Sequence, residues 1–435
     1  MCIRDSLLIV LAAIVLGARY GSIAIGAAGG LGVIALAIAG APVTGEDIPF
    51  DVIGIIMSVI AAIAAMQAAG GMDWLVAQTD KLLRKQPKRI TLFAPMVTYF
   101  LTLFAGTGHT AFAALPVVTE VAKENEIRPS RPLSIAVVAS QMAITASPIS
   151  AAVVFLASTL EPMGVGYLTL LGVAIPSTFL AVIITSFVAN WLGTPLAEDP
   201  VYLERKEKGL VKFRGKVQYT EKPGAKASVL IFLLAIVAVV SYAALISDNL
   251  QIIADPTLPR TEAIMSIMLA AAMAITVVCR VEPGRILEMA TFRSGMSACV
   301  CVLGVAWLGT TFVNAHIGEI TDVAGATLST KPWLLAVVLF FAAALLYSQA
   351  ATAKALMPTA LALGVGPVAA IAAFPAVSAL FVLPTYPTLL AAVEMDDTGS
   401  TRVGKAVFNH PFMIPGVVNI ALAVAFGFLF GSLLV

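Results

Sequence analysis

The sequence predicts an all-α polytopic membrane protein made of two inverted repeats, each with five spans and one re-entrant hairpin. Three observations point there: a very apolar composition, a one-sided distribution of basic residues, and an order of apolar segments that repeats across one hydrophilic loop. Of the 435 residues, 60% are hydrophobic and 12% charged, where a soluble domain carries about 25% charged residues. Mean hydropathy is +0.97. Segments 132–160, 162–197, 355–393 and 406–435 contain no Asp, Glu, Lys or Arg. Each exceeds the roughly 20 apolar residues that carry a helix across a bilayer. Period-two alternation is absent, which disfavours a β-barrel. The net charge is +1 and no basic tail is present, so the composition implies a lipid bilayer and no nucleic acid as partner.

Ten full spans are read near 6–18, 21–41, 50–71, 133–157, 165–192, 228–247, 262–279, 294–314, 367–393 and 412–435. The start is unusual: Met1–Ser6 is polar, and the apolar run Leu7–Leu16 is short and lacks a signal-peptide cleavage site. It reads as a first helix that begins further upstream, with Cys2–Ser6 a cloning or assembly scar. Two stretches fit no single span: 90–119, which carries no acid or base, and 333–364, whose only charge is Lys354. Each has small polar residues at its middle, Gly106-Thr107-Gly108-His109-Thr110 and Ser348-Gln349-Ala350-Ala351-Thr352. That is the pattern of a re-entrant hairpin, two half-helices meeting at a polar tip. Irregular backbone at membrane depth is tolerated only where it is buried in protein or lines a cavity.

Basic residues test this topology, because Lys and Arg concentrate in cytoplasmic loops. If both hairpins return to their starting side, 22 of the 26 basic residues fall on the cytoplasmic side. Both termini then lie outside. Reading the first hairpin as a single span would invert everything after it and destroy the asymmetry.

Residues 193–227 form the one long hydrophilic segment and divide the chain. The first repeat covers 1–192, with hairpin 90–122 and broken span 133–157; the second covers 228–435, with hairpin 333–364 and broken span 367–393. Five spans per half is an odd number, so the halves are inverted. Leu115-Pro116 follows the first tip and Met357-Pro358 the second. The next span in each half carries a polar proline motif, Thr145-Ala146-Ser147-Pro148-Ile149-Ser150 and Leu383-Pro384-Thr385-Tyr386-Pro387-Thr388. Inverted repeats with interrupted helices are a signature of secondary transporters with a midplane site.

The interruptions also suggest a ligand. A helix N-terminus carries unpaired N–H groups and roughly half a positive charge. Half-helices starting after Gly108, Ser147, Ala350 and Pro384 would together offer on the order of two positive charges without buried cations. A dicarboxylate dianion matches that charge. The candidate binding residues are therefore Gly106, Thr107, Gly108, His109 and Thr110; Thr145, Ser147, Pro148 and Ser150; Ser348, Gln349, Thr352 and Lys354; and Pro384, Thr385, Tyr386, Pro387 and Thr388. Lys354 reads as lying in the first turn after the second tip. A lone lysine in an apolar segment costs roughly 2.5–3.5 kcal/mol on insertion scales, which favours a role in binding over snorkelling. His109 could bind substrate or carry a proton, with a packed tip residue the bland alternative.

Other features read as structural. Gly26-Ala27-Ala28-Gly29-Gly30 has no preceding strand and suits close helix packing rather than a nucleotide loop. Cys2, Cys279, Cys299 and Cys301 read as thiols, since Cys299-x-Cys301 lacks the companions of a metal site. Glu394, Asp396 and Asp397 read as solvated, with a gate or coupling role as the lesser view. No Ser-His-Asp set is visible, so no enzyme and no cofactor are expected; coupling to protons or sodium is left open. A channel is disfavoured because the polar residues cluster at two tips and two breaks.

The sequence resembles the anaerobic four-carbon dicarboxylate (Dcu) transporter family, and within it the branch handling aspartate and fumarate. The resemblance runs from about Leu7 to Val435 and rests on Phe104–His109, Ile144–Ala151, Arg293–Ala298, Ser348–Leu356, Leu383–Thr388 and Asp396–Arg402. It implies an inner-membrane exchanger or symporter of fumarate, succinate, malate or aspartate. A carrier of citrate or a monocarboxylate with the same architecture is the alternative. The resemblance further implies kinship to an ion-transporter superfamily of dimeric, elevator-type carriers with paired hairpins.

Overall fold

Apolar helices fill the computed structural model, which describes residues 3–20, 23–48, 50–213, 215, 220, 222–246, 252–253, 255–319, 330–346, 348–383, 386–404 and 408–435. Every described element is a helix. The first three are α1 (Ile3–Tyr20), α2 (Ala24–Ile38) and α3 (Phe50–Ala68). Among the described residues six helices, α3 among them, are long and apolar enough to cross a membrane.

Between the third span and the first hairpin lies a helix, α4 (Gly71–Lys85). Its apolar Met72, Leu75, Val76 and Leu83 fall on one face and its charges on the other. That amphipathic pattern suits a helix lying at an interface. Then α5 (Ile90–Ala105) and α6 (Ala111–Glu124) pack on each other through a short turn at 106–110. Gly106 ends α5 with φ 67°, the left-handed conformation that glycine adopts without a Cβ penalty.

The expected broken span is α7 (Ser130–Ile144) and α8 (Ala151–Leu160) with a non-helical stretch between them. Ser150 makes the break. Its Oγ donates to the Ile144 carbonyl at 2.6 Å and accepts from the Val153 N–H at 3.2 Å, capping α8. Ser150→Ala is expected to cost about 1 kcal/mol, typical of a lost N-cap. Thermal unfolding of the detergent-solubilised protein would show the lower midpoint. The half closes with α9 (Tyr167–Asn190). Across it, Thr98 Oγ1 donates to the Ala136 carbonyl at 2.7 Å, and Tyr99 and Thr178 hydroxyls meet at 2.7 Å.

The hydrophilic segment contains a short helix, α10 (Pro200–Glu207), capped by Asp199. That carboxylate is buried, which opposes ionisation. The Val201 N–H, Arg128 and Arg402 outweigh burial and hold it below the ordinary aspartate range. The segment is thereby clamped to both halves of the chain.

The second half begins with α11 (Ala225–Leu245), α12 (Arg260–Val278), a short α13 (Pro283–Glu288) and the long α14 (Ala290–Ala315). Next, α15 (Leu334–Leu346) and α16 (Gln349–Ala362) pack on each other. The second broken span is α17 (Pro367–Ala373), running into a 3-10 stretch over Phe374–Phe381, followed by α18 (Pro387–Met395). The final helix is α19 (Met413–Leu434).

Small residues let the halves approach. A Cβ on Gly304 of α14 would lie 1.8 Å from the Gly26 carbonyl oxygen of α2. Helix α2 therefore meets α14 backbone to backbone, the use expected for the Gly26–Gly30 run. Several of the helix pairs that cross between halves come in matching sets: α2 with α14 and α3 with α12, α8 with α16 and α6 with α18, and α9 with α19. Among the described residues Cys279, Cys299 and Cys301 are not joined in a disulfide; Cys2 lies outside them.

Candidate functional site

A cavity of about 690 Å³ lies where the two turns and the two breaks come together. Gly106, Thr107 and Gly108 border it from the first turn, and Ser348, Gln349 and Ala350 from the second. Ile149, Ala151 and Ala152 contribute from the first break, and Tyr386 and Pro387 from the second. The opposite wall is built by one face each of α3 and α14.

The N-terminal ends of α6, α8, α16 and α18 all border this cavity, through Gly108 and Phe112, Ala151, Gln349 and Pro387. Four helix ends therefore direct partial positive charge at one space. Three of the helices begin later, or earlier, than the sequence suggested. The α8 helix starts after its Ser150 cap rather than after Ser147, and α18 starts at Pro387. The α16 helix starts at Gln349, because Ser348 Oγ accepts from the Ala351 N–H at 3.2 Å.

That earlier start moves Lys354 from the expected first turn into the second. Lys354 is half-buried one turn beyond Ala350 and does not line the cavity. It has no ion-pair or hydrogen-bond partner among the described residues.

Several candidate hydroxyls bond backbone instead of facing the cavity. Thr145 Oγ1 donates to the Met142 carbonyl at 2.7 Å, and Thr352 Oγ1 to the Ser348 carbonyl at 2.7 Å. Ser147 is fully buried, with its Oγ accepting from the Ile149 N–H at 3.4 Å. The Pro148 carbonyl accepts from Tyr167. Thr110 Oγ1 donates to the Thr107 carbonyl at 3.1 Å. These groups hold the bends that shape the cavity. Pro384 and Thr385, and the side chain of His109, lie outside the described residues.

Gln141 of α7 ties the second turn to the second break. Its carbonyl accepts from Gln349 Nε2 at 2.7 Å, and its own Nε2 donates to Thr388 Oγ1 at 3.3 Å. Gln141 and Ser378, which also bonds Gln349, were not singled out from the sequence.

The sequence reading also missed Arg293 and Ser297 of α14. Arg293 is the one basic residue bordering the cavity among the described residues, and Glu394 the one acid. Both are exposed and neither has a partner among the described residues. Only the Arg293–Ala298 motif signalled this part of the wall. Of the three acids read as solvated, Glu394 alone fits that reading. Asp396 is buried and accepts from the Thr401 N–H at 2.7 Å and Ser400 Oγ at 2.8 Å. Asp397 pairs with Lys123 at 2.9 Å.

A bundle of apolar helices, interrupted at four points that border one cavity, is the architecture of a membrane transport protein. The chain belongs to the family described as the anaerobic C4-dicarboxylate membrane transporter, which matches residues 2–435. It is 62% identical to the C4-dicarboxylate transporter DcuA of Wolinella succinogenes over 98% of this chain and 99% of that one. It is 60% identical to DcuA of Escherichia coli K12, with 98% of each covered, and 36% identical to DcuB of an E. coli O6:H1 strain, covering 100% and 99%. The fold is similar to that of the YdaH transporter of Alcanivorax borkumensis, with a TM-score of 0.54 and 14% identity over 89% of this chain and 86% of that one.

Proposed function

We propose that this protein carries C4-dicarboxylates, namely fumarate, succinate, malate and aspartate, across the bacterial inner membrane by exchange or ion-coupled uptake. The names borne by its relatives support the substrate class. The observation that carries the site is the convergence of four helix N-termini on one cavity with one basic side chain among the described residues, Arg293, on its wall. Together these offer a dianion both a field and a specific partner. The binding set is Gly106, Thr107, Gly108, His109, Ser348, Gln349, Tyr386, Pro387 and Arg293, with Thr110, Thr145, Ser147, Pro148, Ser150, Thr352 and Thr388 holding the bends. Pro384 and Thr385 complete the second break. Lys354 adds positive potential from behind the second tip.

A single cysteine at Ser348 in a cysteine-free background tests this placement. Fumarate should slow its alkylation by a small maleimide, and lactate should not. Equal rates with and without fumarate would remove the cavity from the account.

The architecture proposed is a pair of inverted repeats, 1–192 and 228–435, joined by the segment 193–227. The matching helix pairs between halves support it, since exchanging the halves maps α2–α14 onto α12–α3 and α8–α16 onto α18–α6. Each turn is then the tip of a re-entrant hairpin. In this arrangement the wall of α3 and α14 is a scaffold against which the hairpins and broken spans move, in a dimer. Protons or sodium are the proposed coupling ions; no group of three or more His, Cys, Asp or Glu that could hold a metal ion occurs among the described residues.

Both termini are placed outside and 72–89 and 193–227 in the cytoplasm, on the distribution of basic residues. A cysteine at Lys208 should therefore resist an impermeant thiol reagent in right-side-out cells and react once they are permeabilised. Strong labelling in intact cells would overturn this orientation.

A further inference from the structure

A second cavity, of about 450 Å³, lies on the far side of the first hairpin. Its walls come from α4 (Leu75, Leu82), the length of α5 (Phe93, Phe100, Phe104) and the start of α11 (Phe232). The lining is apolar apart from Thr110, whose hydroxyl is already bonded to the Thr107 carbonyl. Leu82, Phe100 and Phe104 are also exposed, so the space opens sideways, where a bilayer would lie.

Basic residues neighbour one end of this cavity in sequence. Leu82 and Phe93 border that end, and between them in sequence lie Lys85, Lys88 and Arg89, with Lys81 one turn earlier on α4. All four are exposed and have no ion-pair partner among the described residues; nearby Arg84, by contrast, is bound by Asp80 and Glu124. The other end reaches Ala105 and Thr110, which flank the tip residues Gly106–Gly108 of the first cavity. From Phe93 to Ala105 the helix rises about 18 Å at 1.5 Å per residue. One leaflet of the hydrocarbon core is roughly 15 Å deep.

We propose that this cavity holds one acyl chain of an anionic phospholipid whose headgroup is bound by Lys81, Lys85, Lys88 and Arg89. The depth, the apolar lining and the lateral opening suit an acyl chain. The unpaired cations at one end suit a headgroup phosphate, as basic pockets between cytoplasmic ends of membrane helices do. A free anion would not need the apolar depth, and an uncharged apolar molecule would not need the cations. The chain's end packs behind the first tip, so occupancy stiffens the hairpin that borders the substrate cavity.

The test is retention of phosphatidylglycerol by the purified protein, read by native mass spectrometry after exposure to equal phosphatidylglycerol and phosphatidylcholine. Two variants are compared with wild type: Lys85→Gln/Lys88→Gln/Arg89→Gln, which alters only exposed side chains, and Val97→Trp, which fills the cavity. Wild type should retain phosphatidylglycerol selectively. The triple variant should lose about fivefold in retention per charge removed, and Val97→Trp should lose it without any change of charge. No selective retention by wild type, or equal retention by the triple variant, overturns the proposal. Loss in the triple variant alone overturns the acyl-chain cavity, leaving only surface attraction. Because the readout is bound lipid, failure here is distinguishable from failure to transport dicarboxylates.

Discussion

Arg293→Gln is expected to raise the KM for fumarate and succinate roughly 10- to 150-fold, the equivalent of a charge-assisted hydrogen bond worth about 1.5–3 kcal/mol. Arg293 sits in the first turn of α14, where the helix dipole disfavours a cation. It has no carboxylate partner among the described residues and stands on the wall of the cavity. A substrate carboxylate supplies the missing partner. Arg293→Lys should recover part of the loss, since an ammonium keeps the charge without the planar fork. Glu394→Gln should leave KM equal or lower, because it removes an acid from the same wall. Lys354→Gln should have a smaller effect than Arg293→Gln, since Lys354 acts only through its field. Initial rates of labelled fumarate uptake into proteoliposomes, at matched protein content, check all four.

Gly304→Leu is expected to prevent assembly altogether. The new Cβ would fall 1.8 Å from the Gly26 carbonyl oxygen, and the obstacle is backbone, which cannot turn aside like a side chain. Overpacking against movable side chains costs about 1–3 kcal/mol, and this clash exceeds that case. Gly26→Leu should fail likewise, with its Cβ 2.2 Å from the Val300 carbonyl oxygen. Gly30→Leu is the control, since nothing lies within 4 Å of a Cβ there. Size-exclusion of detergent extracts should show a monodisperse peak for wild type and Gly30→Leu and none for Gly304→Leu.

The helices and their interruptions were legible because each rests on a local signal. A thirty-residue apolar stretch with Gly-Thr-Gly at its middle cannot be one span, and α5, the turn and α6 follow from that. The helix starts were misplaced where serines were not recognised as caps. Ser150 and Ser348 spend their hydroxyls on the first turns of α8 and α16. That pattern, a serine just before an apolar helix, was available in the sequence. The same misreading put Lys354 in the first turn. Helix α4 was not among the elements read from the sequence, although Met72, Leu75 and Val76 mark a face.

Arg293 was not legible as a site residue from its neighbours. It lies at the start of an apolar helix, where a basic residue is ordinary, and only the fold brings α14 opposite the two turns. The roles of Gln141 and Ser378 are likewise products of long-range packing.

This cavity is expected to carry C4-dicarboxylates by a carrier mechanism. Counterflow in proteoliposomes tests it most directly: vesicles loaded with unlabelled fumarate and diluted into labelled fumarate. Internal fumarate, succinate, malate or aspartate should accelerate entry of label, and internal citrate or lactate should not. Entry that is indifferent to the internal solute, or accelerated by citrate or lactate as strongly as by fumarate, would contradict it.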